Sequence, residues 1–215
     1  SQIWSNYVRY IGAGAVAAGG LISLIKSLPT MVKTFSRAVK GFGKKGEAGD
    51  RTQRDIPMSA VLGGIVVIAV AIWLLPEIPV SFVGAIIIVV FGFFFATVSS
   101  RMVGIVGSSN NPVSGMAIAT LIVTTAILKA TGSTGASGMV AAISIGTVIC
   151  IIAAMAGDTS QDLKTGYIVG ATPAKQQIGE LIGAVVSAIA IGGVMYLLNA
   201  AWGFGSEQIP APQAT

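Results

Sequence analysis

From Val80 to Val98 the chain carries no charged residue, and from Val113 to Leu128 only Ser and Thr break an otherwise apolar run. A transmembrane helix needs about 20 predominantly apolar residues, so each run approaches or reaches the length that crosses a bilayer. Between them lies Ser99–Gly115, SSRMVGIVGSSNNPVSG, rich in Gly and Ser. In a soluble protein such a stretch is an ordinary loop. Between two spans it means more, because each unsatisfied amide in hydrocarbon costs several kcal/mol, and non-helical backbone persists there only when packed in protein or lining a wet cavity. The interruption is therefore expected to face a pathway.

Composition supports the membrane reading: 53% of residues are hydrophobic and 10% charged, where a soluble domain carries about 25% charged residues. The net charge of +5 would in a soluble chain suggest nucleic acid. Here the basic residues cluster in one loop, which reads as a topology signal and a contact for anionic lipid, with no nucleic-acid partner. The chain has one cysteine, Cys150, and no histidine. That excludes an internal disulfide, a His-assisted nucleophile and imidazole-based zinc sites. No enzyme activity, metal site or cofactor is expected.

Taken in order, the sequence predicts an all-α polytopic transmembrane bundle of about six spans, at 7–28, 58–75, 80–98, 113–129, 139–156 and 178–201. Residues 1–29 form the first span, 30–57 a basic loop, and 58–215 the five further spans with polar segments at 99–115 and 157–177. In the first span Gly12, Val16 and Gly20 share a face, a surface for close helix packing. The loop carries Lys33, Arg37, Lys40, Lys44, Lys45, Arg51 and Arg54 against Glu47, Asp50 and Asp55, which marks the cytoplasmic side. Its stretch MVKTFSRAVKGF suggests an interfacial amphipathic helix. The turn Pro76–Pro79 permits only an antiparallel neighbour, with Trp73 as an interfacial anchor. If every span crosses fully, 30–57, 99–112 and 157–177 share one side. The alternative is that 99–112 dips back as a re-entrant hairpin, and charge counts do not separate the two.

Candidate substrate-binding residues are Ser108, Ser109, Asn110, Asn111, Ser114, Gly115 and Arg101. Pro112 suits the first turn of span four, leaving Asn111 or Asn110 as its N-cap. A helix N-terminus opening at membrane depth offers free N–H groups to an anion. Arg101 either pairs with that anion or simply marks the inner interface. Met116, Thr120 and Thr124 form a weakly polar stripe, read as cavity wall, although Thr hydroxyls commonly bond the carbonyl four residues back. The segment GDTSQDLKTGYIVGATPAKQQIGE at Gly157–Glu180 is denser in functional groups than a connector needs. Glu180, Asp158 and Asp162 are its candidate proton carriers. A desolvated Glu180 would hold and release a proton, unless it stays at the interface and pairs with Lys175 or Lys164.

Three stretches carry a resemblance: WSNYVRYIGAGAVAAGGLISLIKSLP at Trp4–Pro29, SSRMVGIVGSSNNPVSGMAIATL at Ser99–Leu121, and GDTSQDLKTGYIVGATPAKQQIGELIG at Gly157–Gly183. With them the chain resembles the prokaryotic branch of the oligopeptide transporter family, which includes the yellow-stripe-like metal-chelate transporters. The resemblance implies secondary active, usually proton-coupled transport of small peptides, glutathione-like compounds or metal-chelate (siderophore-like) complexes across the cell (inner or plasma) membrane. Family members are much longer, so this chain reads as an internal portion whose partners include the remaining spans. The alternatives are a passive channel, since a lone Asn-Pro at a helix start superficially resembles half of the aquaporin signature, and a non-transporting membrane scaffold.

Overall fold

The computed structural model describes residues 50–76, 78–106, 111, 113–133 and 135–203, with scattered positions between 7 and 33; the side chains of Ser114 and Trp202 are outside the described set. The expected interfacial helix at 31–42 lies almost wholly outside the described residues, and the first span is helical at its described positions between Tyr10 and Lys26. After a 3-10 turn at Arg51–Gln53 come five helices, which we label α1 (Met58–Leu74), α2 (Phe82–Val106), α3 (Val113–Ala130), α4 (Gly135–Val169) and α5 (Pro173–Trp202). Among the described residues there is no strand. Helices α1, α2, α4 and α5 are long and apolar enough to cross a membrane, and α3 contributes a shorter apolar helix over Gly115–Ala130. The chain is a polytopic membrane helix bundle, divided into a unit Ser1–Pro173 and a unit Ala174–Thr215.

In the first unit the core follows from two matching stripes. On α2, Gly84, Ile88, Gly92, Phe95, Ser99 and Val103 are buried; on α4, Gly138, Ala142, Ile145, Ile149, Ala153 and Gly157 are. Each set recurs every three or four residues, the spacing that puts side chains on one helix face. The two stripes meet in register. A Cβ on Gly84 would lie 2.9 Å from Ile145 Cδ1, one on Gly92 would lie 2.9 Å from Ile152 Cδ1, and Ser99 reaches Ala153. Contacts that advance together along both chains mean that α2 and α4 run parallel. The chain returns between the two through α3: Asn111 touches Ala153 while Leu121 lies against Gly146, so α3 runs opposite to α4.

Helix α1 runs antiparallel to α2, as the short turn at 75–81 requires. Trp73 meets Phe82 edge-on at a centroid separation of 5.6 Å, and Ala69 and Val70 share an apolar groove with Ile86 and Val89. No residue of α1 is buried. A helix apolar all round and unburied in its own chain is one whose sides face lipid or further spans.

Two helices run further than expected. Span three was predicted to stop at Val98, yet α2 continues to Val106, and span five was predicted to stop at Ala156, yet α4 continues to Val169. At 1.5 Å per residue α4 is about 52 Å long, well beyond a hydrocarbon core of about 30 Å. The polar residues in both extensions are not helix breakers, and three of them, Ser99, Ser160 and Lys164, donate side-chain hydrogen bonds across the α2/α4 pair. The real stop in α4 is Gly170, at φ +72, where the Ala171 amide bonds the Gly166 carbonyl at 2.8 Å. A left-handed glycine with that bond is a standard helix ending. The polar segment 157–177 is thus mostly helix.

All of α5 but its first residue falls in the second unit. Pro173 opens the helix, a position where the missing proline N–H is no loss. Ile178, Leu181, Ile182, Val185, Val186 and Ile189 are all exposed, again an apolar surface suited to lipid or to other spans.

Candidate functional site

Where α2, α3 and α4 converge, four residues form a compact polar cluster. Ser99, fully buried, donates its hydroxyl to the Ala153 carbonyl at 2.5 Å. The Asn111 side-chain amide donates to that same carbonyl at 2.9 Å and to the Ser99 hydroxyl. Gly157 makes the approach feasible, since a Cβ there would lie 3.0 Å from Ser99 Oγ and 3.1 Å from Asn111 Nδ2. Asn111 Oδ1 is buried and has no hydrogen-bond partner among the described residues. An acceptor left in that state costs about 1–3 kcal/mol.

Beyond this cluster the pair is stitched by two further bonds. Ser160 Oγ donates to the Ser100 carbonyl at 2.7 Å, and Lys164 Nζ donates to the Gly104 carbonyl at 2.6 Å. Positions 153, 157, 160 and 164 fall at helical spacings of four, three and four, so the buried stripe of α4 continues as a polar one. The carbonyls of the last turn of α2 have no helical partner of their own, and a lysine ammonium suits that end of the helix dipole.

The sequence-predicted residues are distributed as follows. Asn111 is half-buried and central to the cluster. Its side chain does not cap α3 as expected: capping needs Oδ1 to accept from the first turn, whereas Oδ1 has no such bond and the amide faces Ser99 and Ala153. Gly115 is buried, on α3. Arg101 is exposed on α2, two positions from Ser99 and so about 200° around the helix; the structure does not bring it to the cluster. Ser108, Ser109 and Asn110, and the Ser114 side chain, lie outside the described residues. Asp158 and Asp162 are exposed on the α4 extension. Glu180 is half-buried on α5, one turn beyond Gln176 and on its face.

The stripe read as cavity wall is packed. Met116, Thr120 and Thr124 are buried, and Thr120 donates back to the Met116 carbonyl at 2.8 Å. Sequence reasoning did not single out Gly157 or Ser160, and it considered Lys164 only as a partner for Glu180, although the 153/157/160/164 spacing was a readable signal once α4 is known to be continuous.

Comparison with known proteins decides the family. The family described as OPT oligopeptide transporter protein matches residues 1–215. The chain belongs to the OPT oligopeptide transporter family. This is a family of transporters, not of enzymes. The OPT chain is 30% identical over 249 aligned residues to a Haemophilus influenzae protein named for oligopeptide transport, covering 99% of this chain and 39% of that one. A Saccharomyces cerevisiae protein, also named as an oligopeptide transporter, is 46% identical over 63 residues, covering 29% of this chain and 9% of its own length. The OPT chain therefore spans well under half of the length of either relative. No solved structure matches it.

Proposed function

We propose that this chain forms part of a secondary active transporter of small peptides in the cell membrane, with proton coupling and metal-chelate compounds as a second substrate class. The observation that carries the reading is the match to the OPT family along the whole chain. The polar cluster supports it through Asn111 Oδ1, a buried acceptor without a partner among the described residues and so open to a passing donor. We assign substrate contact to the α2/α3 junction around Asn111, and we take Glu180, Asp158 and Asp162 as the carboxylates that could carry a proton.

The test is uptake by the full-length protein in proteoliposomes. Accumulation of a labelled dipeptide against its gradient, abolished by a protonophore, supports proton-coupled transport. Downhill flux indifferent to the protonophore would replace this reading with a channel. Glu180→Gln should abolish accumulation while leaving peptide exchange across the membrane, because a neutral side chain still fits but no longer carries a charge.

A further inference from the structure

We propose that Asn111 Oδ1 accepts a hydrogen bond from an N–H of the transported molecule, so that the α2/α3/α4 junction selects a donor and not an anion. The inference rests on the transport reading above and names the atom and the ligand chemistry within it.

The orientation of the Asn111 amide is fixed by its surroundings. The Ser99 proton is engaged on the Ala153 carbonyl, so neither Ser99 Oγ nor Ala153 O has a proton to offer. A flipped amide would set Oδ1 against two acceptors. The amide nitrogen therefore faces them, as it does here. Oδ1 is left pointing elsewhere, buried and without a partner among the described residues. Thr124 Oγ1 is in the same condition, but a hydroxyl can rotate onto the carbonyl one turn back. Asn111 has no such freedom, because turning it breaks both of its donor bonds.

A held acceptor with no partner is matched by an N–H, which a peptide supplies at its ammonium and at its amide. The anion expected at the start of α3 finds no donor in the Asn111 side chain, whose donors are already engaged. The ligand-free protein thus carries the cost of an unpaired oxygen that a bound N–H removes, and recognition is tied to the substrate being present.

Three probes separate the two sources of N–H: L-alanyl-L-alanine, N-propionyl-L-alanine, which lacks the ammonium, and L-alanyl-L-lactate, in which an ester replaces the amide N–H. Uptake of each is measured with the full-length wild type and with Asn111→Leu, which keeps the approximate volume. The wild type should favour the dipeptide at least tenfold over one analogue. Asn111→Leu should lower dipeptide uptake by a similar factor and cost that analogue nothing further. The analogue that escapes identifies the donor. Equal losses for all three probes in Asn111→Leu would overturn the inference while leaving transport intact. If Asn111→Leu does not fold, wild-type uptake of all three probes within twofold of one another overturns it equally. Failure of the wild type to take up any of them removes the transport reading and this inference together.

Discussion

Asn111, just ahead of α3, donates its side-chain amide to the hydroxyl of Ser99 on α2, 12 positions away, and both groups bond the Ala153 carbonyl of α4. One carbonyl thus ties the start of α3 to the α2/α4 pair. Interhelical hydrogen bonds in membranes are worth about 0.6 kcal/mol on average and up to about 1.7, because the chain has other partners available when the helices separate. Ser99→Ala leaves the Asn111 to Ala153 bond in place. We expect it to destabilise the protein by about 0.5–1.5 kcal/mol, read as a lowered denaturation midpoint in detergent. A loss above about 3 kcal/mol would mean that Asn111 had been released as well.

Gly157→Ala should be worse. The new Cβ would lie 3.0 Å from Ser99 Oγ, 3.1 Å from Asn111 Nδ2 and 3.2 Å from Val103 Cγ2, so two neighbours on α2 and one just ahead of α3 must yield together. Overpacking of this kind costs about 1–3 kcal/mol. Gly63→Ala on α1, where a Cβ meets nothing within 4 Å, is the control: with no clash, alanine's better helix propensity should leave stability unchanged or slightly raised. Equal midpoints for the two variants would contradict the close α2/α4 approach.

The membrane class and the helical architecture were legible in the apolar runs, as were the antiparallel α1/α2 turn and the back-bonding of Thr120. The helix ends were not. Ser99, Arg101, Asp158 and Lys164 read as loop because polarity is the main cue for a span boundary, but polarity alone does not break a helix when the polar side of the extension is bonded to a parallel neighbour. Pairing of α2 with α4 skips the intervening helix, so no local pattern reveals it. The sequence offered Asn111 or Asn110 as the N-cap next to Pro112, and the Asn111 side chain is instead engaged by Ser99 and Ala153. Arg101, two residues from the buried Ser99, is turned away from it by the helix that continues through this stretch, a relation the sequence shows only once α2 is known to extend to Val106.

Lys164→Met tests the outermost rung. Its ammonium sits 2.6 Å from the Gly104 carbonyl near the C-terminus of α2, yet the side chain is exposed, so water and salt screen the interaction. The global midpoint should scarcely move. Hydrogen exchange should instead speed up several-fold for amides in the last turn of α2, with those around the buried Phe95 unchanged. The same local loosening should appear in the wild type as salt is raised. An exchange profile that ignores both the substitution and the salt would show that the ammonium adds nothing to that helix end.

The parallel α2/α4 pair fixes which residues share a side of the membrane, and this can be read by labelling. Contacts advance in step from Gly84 with Ile145 to Gly104 with Lys164, so the polar ends of both helices emerge together, and α1, antiparallel to α2, begins at that same end near Arg51 and Arg54. The excess of basic residues in 30–57 predicts that this end faces the cytoplasm. In a Cys150→Ala background, Arg101→Cys, Asp158→Cys and Asp162→Cys should therefore react with a membrane-impermeant maleimide in inside-out vesicles and stay unlabelled in right-side-out ones. Ile145→Cys and Ile149→Cys, at positions with no exposed surface, should resist from either side. Arg101 and Asp158 reacting from opposite sides would require antiparallel helices, and a bond between Lys164 and Gly104 could not then coexist with the packing of Gly84 on Ile145.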